Sequence, residues 1–181
     1  MEIKSLSIEG VFEITLSPRS DERGYFMRTF DEASFLQHGL VTNWVQENEA
    51  CSSRLGIVRG LHFQRPPAAE TKLVRVVSGR ALDVFVDLRR SSPTFGRWGA
   101  VELSEERQNM VYVPKGFAHG YCTLTDRVVM LYKVDAPYSP QLEGGVRWND
   151  PDLGVAWPVA DAILSAKDAA LPFLKDFESS F

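Results

Sequence analysis

Arg59 and His62 lie within Gly-Ile-Val-Arg-Gly-Leu-His-Phe-Gln, residues 56–64, an apolar stretch with glycines on either side of the arginine. A histidine between Leu61 and Phe63 is expected in a low-dielectric wall, where neighbours rather than water set its pKa and tautomer. Such a group can act as a general base. An arginine in the same stretch needs an anion, and a guanidinium fork suits phosphate oxygens. A second histidine, His119, ends Pro114-x-Gly-x-x-His, a turn that delivers a histidine into a strand. The third, His38, falls in the last turn of a short predicted helix, where a positive charge suits the helix end, and is read as structural.

The elements that must carry these residues are mostly strands. Residues 8–16 and 25–30 read as strands around a polar turn at 20–24, and 31–38 as a short helix closed by Gly39. From residue 41 to 134 short β-type segments recur at 42–48, 56–64, 72–78, 81–88, 98–103, 110–113, 120–124 and 128–134, separated by Gly, Pro, Asn or Ser-rich turns. That spacing predicts an all-β sandwich or barrel. In Leu82-Asp-Val-Phe-Val-Asp-Leu88 the even positions are aliphatic, while Asp83 and Asp87 flank Phe85 on the other face. Were that face simply wet, Phe85 would be misplaced. A barrel interior, half apolar and half polar, explains the pattern better. After residue 148 the texture is loop-like, and Ser165 can cap a short final helix within 163–171.

The 181 residues, 44% hydrophobic and 24% charged, suit one domain spanning 1–181. A net charge of −4 with scattered basic residues leaves no footprint for nucleic acid. The N-terminus lacks the apolar core of a signal peptide, and no apolar run approaches the ~20 residues that span a bilayer. A cytoplasmic protein without a membrane partner is expected. Cys51 and Cys122 stand alone, without metal-type spacing, and fit reduced, half-buried thiols.

The turn ending at His119 resembles half of the second motif of the cupin superfamily, the jelly roll or double-stranded β-helix. Metal-binding cupins place His-x-His and a glutamate in the first motif. Here that site reads His62-Phe63-Gln64, one histidine where two are wanted. A catalytic metal takes about three protein ligands, so no metal or other cofactor is expected.

Further motifs narrow the resemblance: Asp21-Glu-Arg-Gly-Tyr-Phe26, Arg59-Gly-Leu-His-Phe-Gln64, Lys72-Leu-Val, Asp83-Val-Phe-Val-Asp87, Ser92-Pro-Thr-Phe-Gly96, Tyr132-Lys, Trp148-Asn-Asp-Pro151 and Leu164-Ser-x-Lys-Asp168. With the His119 turn in its place, this series resembles the dTDP-4-dehydrorhamnose 3,5-epimerase family over nearly the whole chain. The resemblance implies a mostly β, cupin-type jelly roll and inversion of C3 and C5 in a 4-keto-6-deoxyhexose carried on a nucleoside diphosphate. Both carbons lie α to the C4 ketone, so the chemistry needs a base, an acid on the opposite face, and a group that holds the enolate oxygen. By similarity His62 is the base, Asp168 its partner, Tyr132 the acid and Lys72 the enolate holder. From the residues alone, Asp83 rivals Asp168.

The resemblance further assigns Arg23 and Arg59 to the diphosphate, with Gln46, Asn48 and His119 adding hydrogen bonds. It gives Tyr138 to the base and Glu143 and Lys167 to substrate contact. Phe26 falls in a segment that family members lend to a neighbouring subunit, implying a homodimer with exchanged N-terminal strands. A surface ion pair with Asp21 or Glu22 is the other reading of Arg23. Three departures stand out. Arg28 replaces a glutamate that touches the nucleoside, and a donor-only side chain there leaves thymine, cytosine or guanine open. Gln46-Glu47-Asn48-Glu49-Ala50 replaces Gln-Asp-Asn-x-Ser, and Glu70-Thr71 replaces Gln-Gly before the lysine. Inversion at C3 or C5 alone is one rival reading. A non-catalytic sugar-nucleotide-binding cupin and a metal cupin are the others.

Overall fold

The computed structural model describes all 181 residues. Two antiparallel sheets face each other. The first contains, in spatial order, β1 (Glu2–Ser5), β2 (Phe12–Thr15), β10 (Asn109–Val113), β7 (Lys72–Ser78), β12 (Val128–Val134) and β5 (Gln46–Ser52). The second contains β13 (Glu143–Gly145), β6 (Val58–Gln64), β11 (Phe117–Thr123), β8 (Arg80–Asp87) and β9 (Trp98–Ser104). From β6 to β13 the chain changes sheet at nearly every step, the winding of a cupin-type jelly roll. A small hairpin, β3 (Arg19–Asp21) and β4 (Gly24–Phe26), pairs only with itself. No helix is long and apolar enough to cross a membrane.

Period-two alternation builds the layers. Val74, Val76, Val111 and Met130 of the first sheet meet Ala81, Phe85, Val101, Leu103 and Tyr121 of the second in one buried cluster. Outside the second sheet, Leu61, Phe63, Val84, Val86 and Leu88 are covered by Leu153, Trp157, Leu174, Phe177 and Phe181. Both faces of β8 are therefore dry, which is why Phe85 shares its face with two carboxylates. Leu61 and Phe63 face away from His62, so its chain neighbours are not its surroundings.

Helix α1 (Glu32–Gln37) starts at Asp31, whose Oδ1 accepts from the Ser34 amide at 3.0 Å, and is followed by Gly39 at φ +68°. Its Phe35 is fully buried among Ile14, Leu73 and Tyr112 on the outer face of the first sheet. Of the residues expected as strand, 42–45 precede β5, although the Val45 amide still donates to Val134 O at 2.9 Å; Trp44 turns into this cluster, 6.4 Å from the Tyr112 ring. The strand expected over 25–30 ends at Phe26, and Phe30 instead packs on Phe35 at 4.9 Å. The final helix, α2, is shorter than the pattern suggested, Ala166–Ala169. Both thiols are free, but Cys51 is exposed and Cys122 buried rather than each being half-buried. Burial pushes the Cys122 thiol up to about 11.

Candidate functional site

The inner faces of both sheets continue past the apolar cluster into a cavity of about 660 Å³. Its first wall is a three-strand ladder. Tyr132 on β12 lies opposite Asn48 of β5 and Val74 of β7, and Val134, two residues on, lies opposite Gln46 and Lys72. Alternation thus sets Gln46, Asn48, Lys72 and Tyr132 on one face, and all line the cavity. The Gln46 amide donates to Asn48 Oδ1 at 2.9 Å.

The second wall carries the histidines. His62 of β6 and His119 of β11 are direct cross-strand partners. A register shift follows between His119 and Tyr121, where Gly60 and Gly120 let the two backbones close. A Cβ on Gly60, at φ +131°, would lie 2.6 Å from the Gly120 Cα. No larger residue fits there without moving both histidines.

Each imidazole has its own carboxylate. His62 Nε2 is 2.5 Å from Asp168 Oδ1, and His119 Nε2 is 2.8 Å from Asp83 Oδ2. Burial works to raise Asp168, but the His62 contact, the Ser165 hydroxyl and the Gly60 amide hold it below the usual carboxylate range. As an anion it can only accept, so Nε2 donates and Nδ1 of His62 keeps its lone pair. Asp83 is fully buried and behaves oppositely: desolvation drives it up against the pull of His119 and Lys72. Its second oxygen has no partner. The rivalry for His62 is therefore settled geometrically, because Asp83 is taken by His119.

The C-terminal segment brings Asp168 into place. Ile163 bridges Ile57 in parallel, the Val58 amide donating to Ile163 O at 3.0 Å. Ser165 then caps α2, its hydroxyl accepting from the Asp168 amide at 3.0 Å. At the rim, Tyr138 donates to Glu143 Oε2 at 2.7 Å, and Lys167 reaches Oε1 of the same carboxylate at 2.6 Å. Desolvation opposes it, but these two contacts keep Glu143 below its usual range.

Lys72 pairs with Glu70 at 3.3 Å, both side chains only 12% exposed. Four basic groups of the cavity thus face a carboxylate: His62, His119, Lys72 and Lys167. Arg59 has none; it donates from Nε to Ser52 Oγ at 3.3 Å and lies open at the cavity wall. The sole unmatched cation lines a cavity that also presents the carboxylates of Glu70, Glu143 and Asp168, and is where a dianion meets least opposition. Nowhere do three His, Cys, Asp or Glu side chains converge as a metal-ligand set.

Three of the expected residues lie elsewhere. Arg23 is in the β3–β4 hairpin, 84% exposed and ion-paired with Asp21, the surface pair that its neighbours suggested. Phe26, in the same hairpin, is 74% exposed. Arg28 pairs with the capping Asp31 at 2.8 Å. Within one chain these three do not reach the cavity. Two residues that were given no role do: Glu70, noted only as a departure before the lysine, and Gln64, the end of the Arg59 motif. The signal was present, since each stands two positions along a strand path from a singled-out residue, Lys72 or His62, and so shares its face.

The family model described as dTDP-4-dehydrorhamnose 3,5-epimerase matches residues 5–176. A protein of that name from Methanothermobacter thermautotrophicus is 47% identical over 90% of this chain and 88% of its own. The Bacillus anthracis dTDP-4-dehydrorhamnose 3,5-epimerase, solved with TDP and PPi bound, superposes with a TM-score of 0.93 at 40% identity, covering 96% of this chain and 99% of its own. A Legionella pneumophila dTDP-6-deoxy-D-glucose-3,5-epimerase in complex with dTDP-4-keto-L-rhamnose gives 0.93 at 36% identity over 98% and 94%. Sequence match and backbone agree from end to end, and the chain belongs to the dTDP-4-dehydrorhamnose 3,5-epimerase family.

Proposed function

We propose that this enzyme inverts C3 and C5 of dTDP-4-dehydro-6-deoxy-D-glucose to give dTDP-4-dehydro-L-rhamnose. One observation carries the reading: His62, paired with Asp168 of α2, is on one sheet, and Tyr132 and Lys72 are on the other, around a single cavity. Nδ1 of His62 takes the proton α to the ketone, and the C–H electron pair moves onto the C4 oxygen. The Lys72 ammonium stabilises that enolate oxygen. As the enolate collapses, Tyr132 donates its hydroxyl proton to the opposite face of the carbon. Solvent resets tyrosinate and imidazolium, so proton count balances and no cofactor enters.

Arg59 receives the diphosphate, with Gln46, Asn48 and His119 along its path. The exposed Tyr138 ring stacks on the base, and Glu143 and Lys167 contact the sugar nucleotide at the rim. Arg23, Phe26 and Arg28 act in trans: the unpaired hairpin of one protomer completes the cavity of its partner in a homodimer. Its exposed aromatics support this, Tyr25 at 59% and Phe26 at 74%.

The test is proton NMR in D2O with dTDP-4-keto-6-deoxyglucose after EDTA treatment, following the C3 and C5 signals separately. Both should be lost to exchange, and His62→Ala should abolish exchange while still binding dTDP. Loss of one signal alone would make this a single-centre epimerase. Exchange that persists in the alanine variant would remove His62 as base.

A further inference from the structure

Glu70 is the one carboxylate of the cavity that the proposed chemistry leaves without a task. It precedes β7 and enters the cavity beside the two groups that act on the enolate. Oε1 is 3.3 Å from the Lys72 ammonium, and Oε2 accepts from Gln64 Nε2 at 3.0 Å. Gln64 is itself locked, donating to Ala68 O at 3.0 Å and accepting from the Ser139 amide at 2.6 Å. Glu70 is thus held at one end by a fixed amide and holds a lysine at the other. Ammonium donors are otherwise free to swing on a four-carbon stem.

Tyr132 faces this pair from β12. The charged and titratable groups that line the cavity with it are Glu70 and Lys72 from β7 and the residues before it, Arg59 and His62 from β6, His119 and Tyr121 from β11, Tyr138, Glu143 from β13, and Lys167 and Asp168 from α2. Burial first, and the Glu70 carboxylate next, push the Tyr132 phenol above its usual range; Tyr121 and Glu143 add to this and Arg59 opposes it. An acid that must hold its proton to act loses activity as pH rises through its pKa. An anion beside it moves that loss to higher pH.

We infer that Glu70 is a positioning residue of this reaction, whose carboxylate fixes the Lys72 ammonium and sets the alkaline limit of turnover. The inference rests on the acid role proposed for Tyr132. Glu70→Gln keeps the shape and removes the charge, whereas Glu70→Asp keeps the charge.

The experiment measures kcat and KM against pH for wild type, Glu70→Gln and Glu70→Asp, with the Tyr132 ring titrated by NMR of isotope-labelled tyrosine, assigned from Tyr132→Phe. Near neutrality Glu70→Gln should lower kcat about tenfold, because the Lys72 ammonium is no longer held, and leave KM unchanged. Its alkaline limb and its Tyr132 titration should both move down by about one pH unit, the effect of one nearby charge at an effective dielectric of ~20. Glu70→Asp should restore both. If the ring titration moves but the limb does not, the acid role of Tyr132 fails. If the limb coincides with the wild-type ring titration and neither moves in Glu70→Gln, the role of Glu70 fails. A folded Glu70→Gln protein with uniformly reduced kcat and an unmoved limb means a merely structural residue.

Discussion

His62 and His119 are chemically identical and sit side by side, yet their partners separate them. Asp168 is held ionised by donors that outweigh its burial, so it can stabilise the positive imidazole that the proposed base role of His62 requires. Asp83 has no compensating donor for its second oxygen, and burial drives it toward the neutral form. Only the first arrangement suits a base that must gain and lose a proton. Asp168→Asn should cut kcat about a hundredfold or more with dTDP affinity unchanged. Steady-state kinetics with a dTDP competition assay decide this, and near-wild-type kcat would leave Asp168 as a mere scaffold. The sign of its pH effect follows. A carboxylate whose folded pKa is depressed contributes its full stabilisation above the unfolded value, about 3.9, and loses it as pH falls through the folded one. The dyad is intact throughout the neutral range.

Asp168 depends on an element that cannot stand alone. A four-residue helix has no intrinsic stability in water, so α2 is held by the Ile57–Ile163 bridge before it, the Ser165 cap, and Leu171 after it. Leu171 packs where a Cβ on Gly145 would stand 2.7 Å away, so Gly145 leaves room for that lock. Removing the cap should release Asp168 before it unfolds the protein. Ser165→Ala costs about 1 kcal/mol, which lowers Tm by about 2–4 °C for a chain of this size. The same energy spent on undocking α2 lowers kcat about fivefold. Thermal denaturation and kinetics on the same sample check both figures. A Tm loss with full activity would mean that the dyad does not need the cap.

At the scale of the molecule, the β3–β4 hairpin is the element without a place. It pairs only with itself and presents two exposed aromatics, while β5 leaves the edge of the first sheet open. The proposed exchange of the hairpin between protomers would cover those rings and add Arg23 to a cavity in which Arg59 is the one cation without a carboxylate. Phe26→Ala should therefore raise KM about tenfold with little change in kcat, a loss typical of one buried aromatic anchor. Sedimentation of the wild type should show a dimer. A fully active monomer would refute the exchange.

Much of this site was legible because strands repeat every two residues. The Asp83–Asp87 face read as a barrel interior, and β6, β7, β11 and β12 fell close to their expected places. Helix α1 was legible too, from its Asp31 cap and its closing glycine. The short strands β1 and β13 carry too few residues to show a period, and 42–44 left the strand for a tertiary reason, the pull of Trp44 into the outer cluster. Sequence also placed His62, His119, Lys72 and Tyr132 on strands of a barrel that the resemblance made an epimerase. It did not decide which aspartate meets which histidine. Asp168 is 106 positions from His62 and Asp83 is 36 from His119. Chain pattern acts over one strand or one turn, whereas these pairings depend on which segments the closed sheets bring together. Only the folded chain matches each base to its carboxylate and leaves Arg59 without one.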